Sequence, residues 1–226
     1  MRFLLVTATD LELAPLVDRL TLVSPSSDSL RGFAHASHHV DVLTTGVGMI
    51  ATATWCARVL AQQQYDLAVN LGVCGSFDPA CPPGTVVNVV TDCIPELGAE
   101  DGDRFLTVQQ LGLLGPDDPP FAGGRLVNPQ APANRVIATL RPGNGITVYT
   151  VHGNDRSIAR VAERFKPDVE SMEGAAFMYA CLVAGRHFAQ VRAVSNMVER
   201  RNRAAWRLAE AVAALNDVAL RLIEEA

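Results

Sequence analysis

Aromatic residues make up only 6% of this 226-residue chain, and no long run of one charge occurs in it. The longest basic block is the pair Arg200-Arg201, within a net charge of −5, which leaves no electrostatic footprint for a nucleic acid. Nothing approaches the ~20 consecutive apolar residues of a membrane span. The opening M-R-F-L-L-V-T-A-T-D loses its apolar character after Ala8, too soon for the hydrophobic centre of a signal peptide. Five cysteines, Cys56, Cys74, Cys81, Cys93 and Cys181, form no C-x-x-C pair. An odd count without such pairs does not suggest a disulfide framework, and a reducing cytoplasm is the expected compartment. His35, His38, His39, His152 and His187 include no H-x-x-x-H spacing, so no metal is expected.

What is present is an alternation of strand-like and helix-like runs. Apolar residues reach 49%, enough for a globular core, and the length suits one domain over residues 1–226. Strands are predicted over 2–8, 32–37, 39–45, 67–71, 85–94, 146–151, 168–170 and 188–195. Helices are predicted over 10–20, 49–64, 158–165, 174–184 and 203–225. The fold class that follows is a three-layer α/β/α sandwich with a mixed central sheet. Residues 21–31, rich in Ser and Asp, and 111–133, rich in Gly and Pro, read as loops; the second is either a lid or a passive surface excursion. In such sheets ligands bind where strand ends meet loops, here residues 8–12, 72–76, 169–173 and 194–199.

Several short motifs fall at those ends. G-V-G-M-I-A, from Gly46 to Ala51, matches G-x-G-x-x-A, but no acidic residue ends the next strand. The glycines therefore read as a tight turn at a helix start, either structural or facing an anion or sugar. Glu12 lies in the first turn of the first helix, where the dipole by itself favours an acid. The stretch V-E-S-M-E-G-A-A sets Glu170 and Glu173 among apolar and small residues; a buried carboxylate there needs a partner that offsets its desolvation. Glu173 precedes Gly174, Ala175 and Ala176, and its two acceptor oxygens suit a vicinal diol. Glu170 reads as a local capping or ion-pair residue. V-R-A-V-S-N alternates, which places Arg192, Val194 and Asn196 on one face; Asn196 ends the strand as either a turn former or a ligand-facing amide. G-N-D-R-S, Gly153 to Ser157, reads as a loop and helix cap.

Together A-T-D-L-E, T-G-V-G, N-L-G-V-C-G-S-F, M-E-G-A-A and V-R-A-V-S-N cover nearly the whole chain. In that order they resemble the nucleoside phosphorylase and methylthioadenosine/adenosylhomocysteine nucleosidase superfamily. V-E-S-M-E-G-A-A-F and R-A-V-S-N-M-V-E-R-R-N-R-A-A-W look most like its futalosine hydrolase family, which releases hypoxanthine from futalosine in an alternative route to menaquinone. The resemblance implies a cytoplasmic homo-oligomer, dimer or higher, acting on a small-molecule nucleoside with no cofactor, metal, nucleic acid or membrane partner. It implies catalytic roles for Glu12, as base to the attacking water, and for Asn196, toward the leaving purine. Glu173 would bind the ribose hydroxyls and Met172 pack on the sugar, with Cys74, Gly75 and Ser195 also lining the substrate. Asn70 and Val73 replace the arginine and serine of the phosphorylases' phosphate segment, which implies hydrolysis. Asn196 replaces the aspartate of adenine-specific nucleosidases, which implies a 6-oxopurine. Arg156, Arg201 and Arg203 are candidates for the substrate's carboxylate. Outside this enzyme class stands a non-catalytic nucleotide-binding protein built around Gly46 to Gly48.

Overall fold

The computed structural model describes residues 1–25, 29–128 and 133–226. The apolar run at the start forms β1 (Arg2–Thr7), followed by α1 (Asp10–Val17), β2 (Thr21–Pro25), β3 (Leu30–His35), β4 (His38–Thr44) and α2 (Met49–Gln62). Then come β5 (Leu67–Ser76), β6 (Val86–Asp92), β7 (Gly98–Asp101), β8 (Arg104–Thr107), β9 (Phe121–Ala122) and β10 (Arg125–Val127). The remainder is α3 (Arg135–Thr139), β11 (Arg141–Thr147), α4 (Asp155–Phe165), β12 (Val169–Ser171), α5 (Gly174–Val183), β13 (Phe188–Met197) and α6 (Leu208–Glu224).

Eleven strands form one mixed sheet; β7 and β8 make a separate hairpin. β5 is central, parallel to β1 and β13 and antiparallel to β12. β13 also pairs antiparallel with β6, and β6 pairs through β11 to β12. The strands β5, β12, β11, β6 and β13 thus close on themselves, curling one side of the sheet into a ring. Helices cover both faces, as the alternation predicts. Leu13 and Leu16 of α1, Val136 and Ile137 of α3 and Leu215 and Leu222 of α6 pack on one face. Cys56 and Val59 of α2 and Phe177 and Met178 of α5 pack on the other. Among the described residues no helix is long and apolar enough to cross a membrane.

Several boundaries differ from expectation, in the strands because pairing overrides local composition. Residues 21–25, read as loop, are an edge strand on β3; residues 26–28 of that reading lie outside the described residues. Within 111–133, Phe121–Ala122 and Arg125–Val127 pair with each other and extend the main sheet from β6, and 129–132 lie outside the described residues. The strand expected at 146–151 runs instead over Arg141–Thr147. The last helix begins at Leu208 after a single 3-10 turn, Arg203–Ala205.

Candidate active site

The curl brings the ends of β1, β5, β12 and β13 together. Thr9 is the N-cap of α1, and Glu12, at the third helical position, reaches back so that its Oε2 accepts from the Thr9 N–H at 3.0 Å. The same oxygen accepts from Thr7 Oγ1 at 2.9 Å, while Oε1 accepts from the Val73 N–H at 3.1 Å. Glu12 is buried, and every partner is a donor. Local capping and tertiary packing therefore aim this carboxylate at the end of β5.

Glu173 is the N-cap of α5, yet its side chain makes no capping bond. Its Oε1 accepts from the Gly48 N–H at 3.1 Å, and its Oε2 lies 3.6 Å from Arg192 Nη1. Gly46 and Gly48 have φ of 87° and 97°, conformations that L side chains avoid. The glycine turn thus presents backbone to a carboxylate of the protein itself, and the dinucleotide fingerprint is coincidental.

Arg192 is 1% exposed, and it went unassigned in the sequence although a charge inside F-A-Q-V-R-A-V-S must have a partner. Its guanidinium is hydrogen-bonded to Asn70 Oδ1 as well as paired with Glu173. A Cβ on Gly72 would stand 2.3 Å from Arg192 Nη1 and 3.0 Å from Glu12 Oε1. Only glycine lets the guanidinium and Glu12 close in on that point of β5. Glu12, Arg192 and Glu173 thereby form one cluster from three distant segments.

Asn196 does not continue the alternation. A register shift between Val194 and Asn196 pairs Asn196 with Gly75, so the expected single face for Arg192, Val194 and Asn196 is broken by a bulge. Its Oδ1 accepts from Ser195 Oγ at 2.8 Å and its Nδ2 donates to Met197 O at 2.9 Å. Ser195 Oγ also lies 3.1 Å from Cys74 O. The Cys74 carbonyl accepts from Ser195, while burial pushes the Cys74 thiol up to about 12. Met172, half-buried, immediately precedes Glu173. Glu170 is hydrogen-bonded to His152, 2.6 Å from Nδ1 to Oε2, a contact that is an ion pair only when the imidazole is protonated.

Gly75, His152, Glu170, Asn196, Arg201 and Trp206 line one cleft. Of the three arginine candidates only Arg201 borders it, with its guanidinium 5.7 Å from the Trp206 ring centroid. Larger cavities, of about 710 and 890 Å³, lie by the β7–β8 hairpin and α4. Neither is lined by Glu12, Glu173 or Asn196, and the cleft at Asn196 is itself lined by neither Glu12 nor Glu173; the candidate site is placed at the strand ends by where these side chains gather.

A closed mixed sheet whose strand ends gather two buried acids around one arginine defines a class, and the chain belongs to the phosphorylase superfamily, whose family model matches residues 2–224. Within that class it is similar to a futalosine hydrolase from Streptomyces coelicolor, 36% identical over 192 residues that span 80% of this chain and 77% of the relative. Solved structures that share the fold include two that bear on this class. A methylthioadenosine/S-adenosylhomocysteine nucleosidase from Colwellia psychrerythraea, in complex with adenine, aligns with a TM-score of 0.82 at 18% identity, covering 100% of this chain and 95% of its own. Futalosine hydrolase from Helicobacter pylori aligns with a TM-score of 0.82 at 12% identity, covering 100% and 98%.

Proposed function

We propose that the protein hydrolyses the N-glycosidic bond of futalosine and releases hypoxanthine. The observation that carries this reading is the joint placement of Glu12 and Glu173 about Arg192 at Gly72. Cleavage passes through an oxocarbenium-like state that needs a positioned nucleophile, charge stabilisation and a stabilised leaving group. Glu12 takes a proton from water as the water oxygen bonds to C1′. Glu173, fixed by Gly48 and Arg192, grips the ribose hydroxyls, with Met172 against the sugar. The C1′–N9 bond breaks, its electron pair stays on the purine, and Asn196 hydrogen-bonds that base, which is finally protonated from solvent. Cys74, Gly75 and Ser195 complete the wall through backbone and hydroxyl contacts.

Hydrolysis is favoured over phosphorolysis because the buried Arg192 is engaged by Asn70 and Glu173, leaving it poorly placed to neutralise a phosphate dianion. Asn196 favours a 6-oxopurine over adenine. The 36% relative supports the futalosine assignment in particular. The same reading makes the protein a single-domain, cytoplasmic homo-oligomer that works without metal or cofactor.

Base release, followed by chromatography, tests the reading with futalosine, inosine and methylthioadenosine, each with and without phosphate. Phosphate-independent release of hypoxanthine from futalosine is expected; adenine release, or a requirement for phosphate, would overturn it. Glu12→Gln keeps the shape and loses the base, so kcat on futalosine is expected to fall about 10²- to 10⁴-fold. Full activity in that variant would remove Glu12 from the mechanism.

A further inference from the structure

Glu173 stands at the N-cap of α5 but does not cap it. Its carboxylate turns away from the helix, to the Gly48 N–H and Arg192. Asn134 shows the ordinary arrangement in the same chain: at the N-cap of α3 its Oδ1 accepts from the second and third helical N–H groups, Val136 at 3.0 Å and Ile137 at 3.2 Å. The first N–H groups of α5 have no partner within the helix, and Gly174, Ala175 and Ala176 are all buried. Acceptors other than Glu173 must serve them.

The ends of three strands supply them. Ser171, the last residue of β12, accepts the Gly174 N–H on Oγ at 3.3 Å, and Thr147, the last of β11, accepts the Ala175 N–H on Oγ1 at 2.7 Å. Asp92, the last of β6, accepts the Thr147 hydroxyl on Oδ2 at 3.0 Å. A hydroxyl whose proton is committed to a carboxylate has only lone pairs left to offer. Asp92 therefore fixes Thr147 as an acceptor aimed at the helix. Asp92 and Thr147 are fully buried and Ser171 nearly so.

We propose that Thr147 and Ser171, with Asp92 orienting Thr147, form a surrogate N-cap for α5 that frees Glu173 to bind the ribose hydroxyls. Without the Thr147 hydroxyl the Ala175 N–H is an orphan at the second helical position, where an N-cap side chain normally accepts. Glu173 then divides between two states, one facing the sugar and one capping its own helix. Only the first binds ribose, so apparent affinity falls with the fraction left competent. Bound substrate restores that state, and kcat is untouched. Thr147, Ser171 and Asp92 are positioning residues. This rests on the reading of Glu173 above as the ribose-binding acid.

Two readouts on the intact protein test the proposal. The Gly48 amide, hydrogen-bonded to Glu173 Oε1 at 3.1 Å, reports by nuclear magnetic resonance where the carboxylate points without any substrate. Steady-state kinetics on futalosine separates KM from kcat. Thr147→Val keeps the branched shape and loses the hydroxyl. In it, Gly48 amide exchange is expected to accelerate by at least about threefold, and KM to rise about 3- to 30-fold, the equilibrium equivalent of one helix cap, with kcat within about twofold of wild type. Thr147→Ser keeps the hydroxyl and is expected to restore both. Ser171→Ala is milder; it is expected to move both in the same direction by less, and it carries the test if Thr147→Val does not fold. Asn134→Ala removes the ordinary cap of α3 and is expected to lower the melting temperature while Gly48 exchange and KM stay at wild-type values. A merely structural role for Thr147 would give Thr147→Val that same pattern and overturn the proposal, as would a Gly48 amide unchanged in both Thr147→Val and Ser171→Ala. Faster Gly48 exchange with KM unchanged would support the surrogate cap and sink the ribose reading of Glu173 instead. Absence of futalosine cleavage by the wild type would sink the substrate assignment, and the Gly48 amide would still decide the cap.

Discussion

Two buried acids stand on either side of Gly174, at the start of α5, and they are treated differently. Glu173 meets a backbone N–H and the Arg192 guanidinium. Asp92, fully buried, meets only neutral donors, Thr147 Oγ1 at 3.0 Å and Gln190 Nε2 at 3.1 Å. Its Oδ1 and the Gln190 Oε1 find no partner among the described residues. Burial pushes the Asp92 carboxyl up to about 6, against the smaller opposing pull of Gln190 and Thr147. A Cβ on Gly174 would come within 2.5 Å of Asp92 Oδ2 and 2.0 Å of Gln190 Nε2, so glycine is required for the helix start to sit on this nest. The difference teaches that burial alone does not define an acid's surroundings: Glu173 has a guanidinium 3.6 Å away, whereas Asp92 bonds only to neutral donors and feels Arg192 and Arg125 from beyond contact distance.

The comparison can be broken most forcefully at the cation. Arg192→Met leaves Glu173 without its charge partner and Asn70 without its donor, and is expected to cost about 3–5 kcal/mol of stability. Urea denaturation reads this directly, and a loss below about 1 kcal/mol would show that the pair is not a unit.

Asp92→Asn sharpens the contrast from the other side. The folded state raises the carboxyl from 3.8 to about 6, so the native protein binds this proton more tightly than the unfolded chain does. The stabilising contribution is complete below about pH 4 and is lost as pH rises through about 6. Asn mimics the protonated acid at every pH. The variant is expected to match the wild type near pH 4 and to be more stable by about 3 kcal/mol at pH 8. Thermal melts across that range check it, and a gain independent of pH would remove the titration of Asp92 as its cause.

The smallest expected effect lies at the backbone that holds Glu173. Gly48 has φ of 97° and open space where a Cβ would go, so Gly48→Ala tests conformation without a clash. A cost of about 1–3 kcal/mol is expected, together with weaker nucleoside binding as the N–H shifts from Glu173. Unchanged melting and unchanged KM would mean that Arg192 alone positions the acid.

Much of the fold was legible where periodicity was strong: β1, β4, α2, α5 and β13 fall near their predicted spans, whereas α3 was not anticipated. R-P-G-N-G hid the start of β11 because Pro and Gly disfavour strands; Arg141 and Gly143 enter the sheet only because β6 is there to pair with them. Likewise β5 runs on through Gly72 and Gly75 to Ser76 because β13 and β12 flank it. At the site, Glu12 and Glu173 could be singled out by their neighbours in the chain. Arg192 carried a signal, a charge within an apolar strand, but nothing local names its partners. His152 carried none, being an ordinary residue after a strand until Glu170 is brought to it.

Sequence by itself determined the alternation of layers, the placement of Glu12 in the first turn of α1, and the small residues that follow Glu173. These depend on interactions within a few residues, where composition and spacing are sufficient. Tertiary structure alone decided which acid received a cation, which received only neutral donors, and that Glu170 and Asn196 share Gly75. Gly48 and Glu173 lie 125 residues apart, and Arg192 and Asn70 lie 122 apart. The state of a buried charge is set by whatever packing places within a few ångströms of it, and no local pattern encodes that neighbourhood.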